Sequence, residues 1–412
     1  MPIRKLNRCD NPWIAEGAHY VYKEPDSEIH QAILKYSLVN RGTLERIDHE
    51  MTRSYEEYDG KVYDALAKAW GRLVHYVHQI DWLTCIVVNT DGTAFDFKLR
   101  EDGKLIRVEE HDLGRYYSLL ARLIRALFLV DVGLGRLKLT PHAELFRDVV
   151  TDFLKWCPHL DECFDKLPTF FDMNTRKFCG DLGNDLFAAI RREAKVRQIS
   201  KVVTAWKADG KRARDRMQKF KRECYAKHRK LYVMPIETAY RGELAEPVSL
   251  DQAKQHHAKF VNRLRGNTKL SAVGIGGIWS MAWGERKGHH FRWIFLLDAA
   301  LVQDATEWAE LVTGIWLDVV RDGTGFVRVP GVSDHPSPIA GIIDGDDSVK
   351  MLMLDDELDH IAQKDNFIQL KEMAGVRSWG TWVPANTRED RHRKVVVKPA
   401  NADDTQAPVG TP

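Results

Sequence analysis

The chain has 412 residues, 44% apolar and 29% charged, with a formal net charge of +2. That length supports two or three domains with ample core, and the composition is that of a soluble globular protein. A balance so near zero excludes a globally basic nucleic-acid binder, so any basic patch must be local. The six cysteines, Cys9, Cys85, Cys157, Cys163, Cys179 and Cys224, are scattered without a Cys-x-x-Cys pair and predict reduced thiols in a cytoplasmic protein. The polar start, Met1 to Arg8, lacks the apolar stretch of a signal peptide, and no run of about 18 apolar residues predicts a membrane span.

Residues 1–190 read as a mainly helical region of unassigned role with a small β-hairpin. An amphipathic helix is predicted from Tyr63 toward Ile80. Thr84 to Val88 and Ala94 to Leu99 then flank the turn signal Asn89-Thr90-Asp91-Gly92 as a hairpin, with a third strand at Leu105 to Val108. Leu119, Leu120, Leu123, Ile124, Leu127 and Phe128 predict a buried helix.

Residues 191–229 read as a basic linker helix, and sixteen Lys and Arg face four Asp and Glu over 191–230. Ile199, Val203, Trp206, Gly210, Ala213, Met217, Phe220 and Cys224 recur at steps of three and four, an apolar seam along a charged helix that Asp209-Gly210 divides in two. Two readings fit. Lys211, Arg212, Arg214, Arg216, Lys219, Lys221 and Arg222 contact nucleic-acid phosphates, or they are the solvated face of a connector.

From Lys230 strands and helices alternate. Leu231 to Ile236 is a strand that Pro235 places at an edge or bulge, and Ser249 caps a helix to Arg265. Ala272 to Trp283 and His289 to Leu297 form an antiparallel hairpin. A helix from Thr306 to Val320, a strand from Gly325 to Val329 and a helix from Asp355 to Leu370 follow, before a disordered tail over 386–412. The fold class predicted is α+β, the second half an antiparallel sheet flanked by helices. Along the second hairpin strand His290, Arg292, Ile294 and Leu296 point one way, and Phe291, Trp293, Phe295 and Leu297 the other.

Several landmarks over residues 230–385 occur in a recognisable order. They are Val273-Gly274, Ile278-Trp279-Ser280-Met281-Ala282-Trp283-Gly284, Gly288-His289-His290-Phe291-Arg292, Gly325-Phe326-Val327, His360-Ile361-Ala362-Gln363-Lys364-Asp365 and Arg377-Ser378-Trp379-Gly380. In this the chain resembles the replication proteins of filamentous phages and prophages, the inovirus replication family that includes the YagK/YfjJ C-terminal-domain proteins. The resemblance implies an HUH-type initiator. Two histidines and an acidic residue hold Mg²⁺ or Mn²⁺, and a tyrosine on a later helix attacks a scissile phosphate to begin rolling-circle replication.

Carried over position by position, the first metal histidine is His290, the second falls on Arg292, the acidic residue on Ala282 and the tyrosine on His360. One imidazole holds a hard cation poorly, and a guanidinium cannot coordinate. The resemblance therefore implies a degenerate initiator that binds single-stranded or hairpin DNA, with Arg292 on a phosphate. No cofactor is assigned, and Mg²⁺ or Mn²⁺ enters only with an active nuclease. An endonuclease using His360, and a regulatory phage protein that keeps the fold for protein contacts, are the alternatives. Trp279, Trp283 and Trp293 either stack on bases or pack between sheet and helices.

Other clusters carry less. Cys157-Pro158-His159-Leu160-Asp161-Glu162-Cys163 offers three zinc ligands with Cys179 as a distant fourth, or a set of buried thiols. Asp344-Gly345-Asp346-Asp347 reads as a solvated turn, and Gly274-Ile275-Gly276-Gly277 lies within a strand, which excludes a nucleotide loop. His256 and His257 face different directions on one helix.

Overall fold

A computed structural model describes residues 3–5, 14–22, 46–47, 53–58, 61–66, 73–129, 137–241, 248–284, 288–321, 323–330 and 337–385. The architecture is α+β, with antiparallel pairing throughout the larger sheet. The tail from Asn386 and Cys9 lie outside the described residues. No helix among the described residues is long and apolar enough to cross a membrane.

The first half holds strands β1 (Ile3–Lys5), β2 (Ile14–Tyr22), β3 (Arg53–Tyr58) and β4 (Lys61–Leu66), then helix α1 (Leu73–Asn89), β5 (Phe95–Leu99) and β6 (Leu105–Glu110). Helix α2 (Tyr117–Leu129), β7 (Leu137–Lys138), α3 (Pro141–Leu154), α4 (Leu160–Asp165), β8 (Phe171–Asp172), β9 (Lys177–Phe178) and α5 (Cys179–Val196) follow. One sheet runs β1-β2-β6-β5, with β2 parallel to β6.

Two expectations fail here. The helix begins at Leu73, not Tyr63, and it absorbs Thr84 to Val88, which is therefore not a strand. Its β-branched residues favour strand locally, but Val77, Ile80, Leu83 and Val87 are all buried at helical spacing, and Thr84 Oγ1 donates to the Ile80 carbonyl at 2.8 Å. Tertiary burial outweighs strand propensity. The real hairpin joins β5 to β6 through the turn at Gly103, whose φ of +80° suits glycine.

The basic segment expected over 191–229 is not one helix: its first residues end α5, the helix breaks at Arg197 and Gln198, and the rest is α6 (Ile199–Lys227), unbroken. Gly210 does not break it; it is buried, and an added Cβ would collide with the Asn366 side chain. Ala213, Met217, Phe220 and Cys224 are buried as the seam predicts.

The second half is built on β10 (Lys230–Tyr240), α7 (Leu250–Gly266), α8 (Thr268–Val273), β11 (Gly274–Gly284), β12 (Gly288–Asp298) and α9 (Ala305–Val319). It closes with β13 (Gly325–Arg328), β14 (Gly341–Asp344), α10 (Ser348–Phe367), β15 (Gln369–Leu370) and β16 (Trp379–Trp382). The sheet order is β13-β10-β12-β11-β16, and β14 also pairs with β10.

Strand β10 is therefore interior, contrary to the edge that Pro235 predicts. The proline is tolerated because β14 pairs only up to Val233 and β13 only from Glu237, so Pro235 sits in the gap where a missing donor costs least. Strand β11 starts at Gly274, not Ala272, because Asn267 caps the short α8 by accepting from Leu270 N–H.

The two faces of β12 enter different cores, as the alternation predicts. Phe291, Trp293 and Phe295 pack with Phe260 of α7 and Trp316 of α9; Phe260 stands edge-on to both Trp293 and Trp316 at 5.4 Å. That core is continuous with Val77, Phe146 and Leu186 of the first half. Ile294 and Leu296 face Met217 and Phe220 of α6 and Leu354, Leu358 and Ile361 of α10.

Trp316 is fully buried and its indole N–H donates to the Ala239 carbonyl at 3.2 Å. Trp316→Ala removes the centre of the aromatic stack and should cost about 3–5 kcal/mol in denaturant unfolding. A loss below about 1 kcal/mol would show that this core is not what holds the helices to the sheet.

Candidate functional site

Antiparallel register sets a charged row across the sheet face beneath α10. Arg328 lies opposite Glu237, Glu237 opposite Arg292, and Arg292 opposite Ser280. The next row carries His290 opposite Ala282. Directly opposed side chains stand about 5 Å apart at Cβ, so the buried Glu237 carboxylate lies between two guanidinium-bearing neighbours. His290 Nδ1 lies 3.2 Å from the Gly288 carbonyl, which makes Nδ1 the protonated nitrogen and turns Nε2 toward Glu237 Oε1 at 3.9 Å.

Helix α10 closes this surface. Asp347 caps it by accepting from Lys350 N–H, and Glu357, His360 and Lys364 follow at steps of three and four on one face. Arg292 Nη2 donates to Glu357 Oε1 at 2.6 Å, and Arg46 donates to Glu357 Oε2 at 3.3 Å. At the other end of this face Lys364 Nζ donates to the Met281 carbonyl at 2.8 Å. His360 lies between these two anchors, so the helix crosses the sheet where Ala282 and His290 face each other.

Ala282, His290 and Arg292 thus lie on the sheet face that α10 covers, and His360 falls between the two α10 anchors. The interface is closed, however. His290 and His360 are fully buried, and the cavity beside Ala282 and Lys364 is about 40 Å³, enough for a few waters and not for a nucleotide. Arg292 holds Glu357 and does not stand open to a phosphate.

These residues do not fit a hard divalent cation. The interface offers two imidazoles, His290 with its Nδ1 occupied and His360, its carboxylates face guanidiniums, and among the described residues no group of three ligand atoms gathers there. Glu237, Glu357 and Lys364 are the participants that sequence reasoning missed. The helical spacing around His360 was a usable signal for the last two; for Glu237 the signal was an acid at an inward position of an apolar strand.

The basic positions divide by face. Lys221 is buried and ion-paired with Asp355, Arg214 Nε pairs with Asp359 at 2.6 Å, and Arg212 pairs with Asp209 in its own helix. Lys211, Arg216, Lys219 and Arg222 are exposed. Arg216 and Lys219 border an open groove of about 630 Å³ shared with Arg377, Ser378, Trp379 and Thr381.

The sheet tryptophans pack internally. Trp279 and Trp293 are buried around His257, whose ring centroid is 4.1 Å from that of Trp279 and whose pKa is lowered to about 4 by burial and by Arg377. His256 turns instead to the Tyr240 hydroxyl at 3.0 Å. Asp344 and Asp346 pair with Arg229, so that turn is an ion-paired cap.

Glu357→Ala strips Arg292 and Arg46 of a shared carboxylate and should destabilise the chain by about 1–3 kcal/mol. Combining it with Arg292→Leu should recover part of that loss, with a coupling of about 1 kcal/mol or more in urea unfolding. Strict additivity would show that the pair does not hold α10 down.

Compared with family models, with curated proteins and with solved structures, the chain matches none.

Proposed function

We propose that the protein is a cytoplasmic, replication-initiator-like DNA-binding protein of the filamentous-phage and prophage kind, defective in metal-dependent nicking. The observation that carries the DNA-binding part is the groove between α6 and β16. Arg216 and Lys219 supply cations from one wall, and Arg377 supplies one from the other. The half-buried Trp379 offers an indole face at the same groove, and Ser378 and Thr381 add hydroxyls. Cations beside an aromatic platform suit a single strand, whose phosphates they neutralise and whose bases stack.

The defect follows from the same sheet. The position of the second metal histidine is a guanidinium in an ion pair, and the position of the nucleophilic tyrosine is a buried imidazole. Without a cation to spread developing charge, and without room for a phosphate, phosphoryl transfer lacks its main stabilisation. A second reading, a protein kept for protein contacts, draws on the exposed apolar side chains Ile342, Val349 and Leu352 at β14 and the start of α10.

Fluorescence anisotropy with a labelled single-stranded or hairpin DNA tests the binding. The wild-type chain should bind at low salt with affinity falling steeply as salt rises. The triple variant Arg216→Glu, Lys219→Glu and Arg377→Glu should bind at least about tenfold more weakly with a shallower salt slope. No wild-type binding at low salt would remove the DNA reading and leave the protein-contact one. Incubation of the same DNA with Mn²⁺ should give no covalent protein–DNA adduct; an adduct would overturn the defect.

A further inference from the structure

We infer that Cys157, His159, Cys163 and Cys179 form a structural zinc site in the first half of the chain. The ligand atoms of Cys157, His159 and Cys163 all lie within 4.8 Å of one another. Ligands around one tetrahedral zinc stand about 3.3–3.8 Å apart, given Zn–S near 2.3 Å and Zn–N near 2.0 Å, so a small closure completes the set. Cys179 lies outside that 4.8 Å group and reaches it through Cys163, whose thiol is hydrogen-bonded to its own, so it must close further to serve as the fourth ligand. The four come from the turn after α3, from α4 and from the first residue of α5, where a helix N-terminus favours a thiolate.

The histidine is held at its Nε2 end, where Asn174 Nδ2 also lies at 3.4 Å. Its Nε2 lies 3.3 Å from both carboxylate oxygens of Asp172. Asp172 is itself fixed, accepting from Thr175 N–H at 2.8 Å and from Thr175 Oγ1 at 2.6 Å. A His159 that donates Nε2–H to a carboxylate keeps its Nδ1 lone pair for a cation, the outer-shell arrangement typical of zinc histidines. The His159 backbone N–H also donates to the Cys157 sulfur, a bond that steadies a thiolate.

Other chemistries fit less well. All three sulfurs are buried, so none meets a substrate as a nucleophile. Zinc would deprotonate them as it binds. The gain is structural. Helix α4 has six residues and β8 and β9 two each, so this stretch has little regular structure of its own to hold α3 against α5. Soft sulfur ligands with one imidazole select zinc over magnesium or manganese.

The test uses the full chain purified under reducing conditions. Elemental analysis should find one zinc per chain. Replacement by Co²⁺ should give the visible bands of a tetrahedral site and a sulfur-to-cobalt charge-transfer band. Cys179→Ser should weaken that charge-transfer band, and Asp172→Asn should loosen cobalt about 10–100-fold while keeping the band. Cys85→Ser and Cys224→Ser, remote from the cluster, should leave it unchanged. A wild-type chain that takes up neither metal, or a cobalt complex without thiolate charge transfer, overturns the site. A disulfide among these cysteines in the reduced, metal-supplemented protein overturns it as well. A spectrum indifferent to Cys179→Ser overturns the fourth ligand.

Discussion

A half-buried guanidinium is stabilised by an anion within hydrogen-bonding reach, and in this fold Arg292 finds it on Glu357. That pair ties a sheet strand to a late helix and fixes how α10 crosses the sheet. The Lys221–Asp355 pair and the bond from Lys364 to the Met281 carbonyl hold the same helix at two further points. With α10 held this way, His290, Ala282 and His360 are buried, and the cavity that the described residues leave beside Ala282 is too small for a nucleotide. The chemistry open to the sheet follows from this one arrangement: the arginine stands on a central strand, and its partner carboxylate comes from the late helix α10.

The same arrangement divides the basic helix. Residues of α6 three and four apart share a face, so the turn that buries Met217 and Phe220 also turns Lys221 inward to α10, while Arg216 and Lys219 point to the groove. Charge excess along a helix therefore overstates what is available to a phosphate. The groove gains its second wall from β16, more than 150 residues away in sequence.

Much of this fold was legible in the sequence. Alternation along β12 gave its two faces correctly, because one face is aromatic and the other turns polar only at His290 and Arg292. The helices α2 and α9 follow from their apolar periodicity, as does the seam of α6 though not its continuity through Gly210, while α10 begins at Ser348, ahead of the Asp355 expected. What was not legible depends on partners. Thr84 to Val88 carries a strand's composition and is helical because α3 and α5 cover it. Pro235 marks an edge in any local reading, yet it lies in an interior strand whose second neighbour is split in two. Local spacing marks Glu237 and Glu357 as inward-facing acids, but that both approach Arg292 depends on strand register and on where α10 crosses the sheet.

If the Arg292–Glu357 pair has replaced a metal, the sheet should hold none. Electron paramagnetic resonance of Mn²⁺ titrated into the wild-type chain tests this most directly, with His290→Ala as the reference. The two proteins should give the same spectrum across the titration, with no ion assigned to the sheet. A bound-manganese signal present in the wild type and lost in His290→Ala would contradict the closed, metal-free interface and reopen the case for an active nuclease.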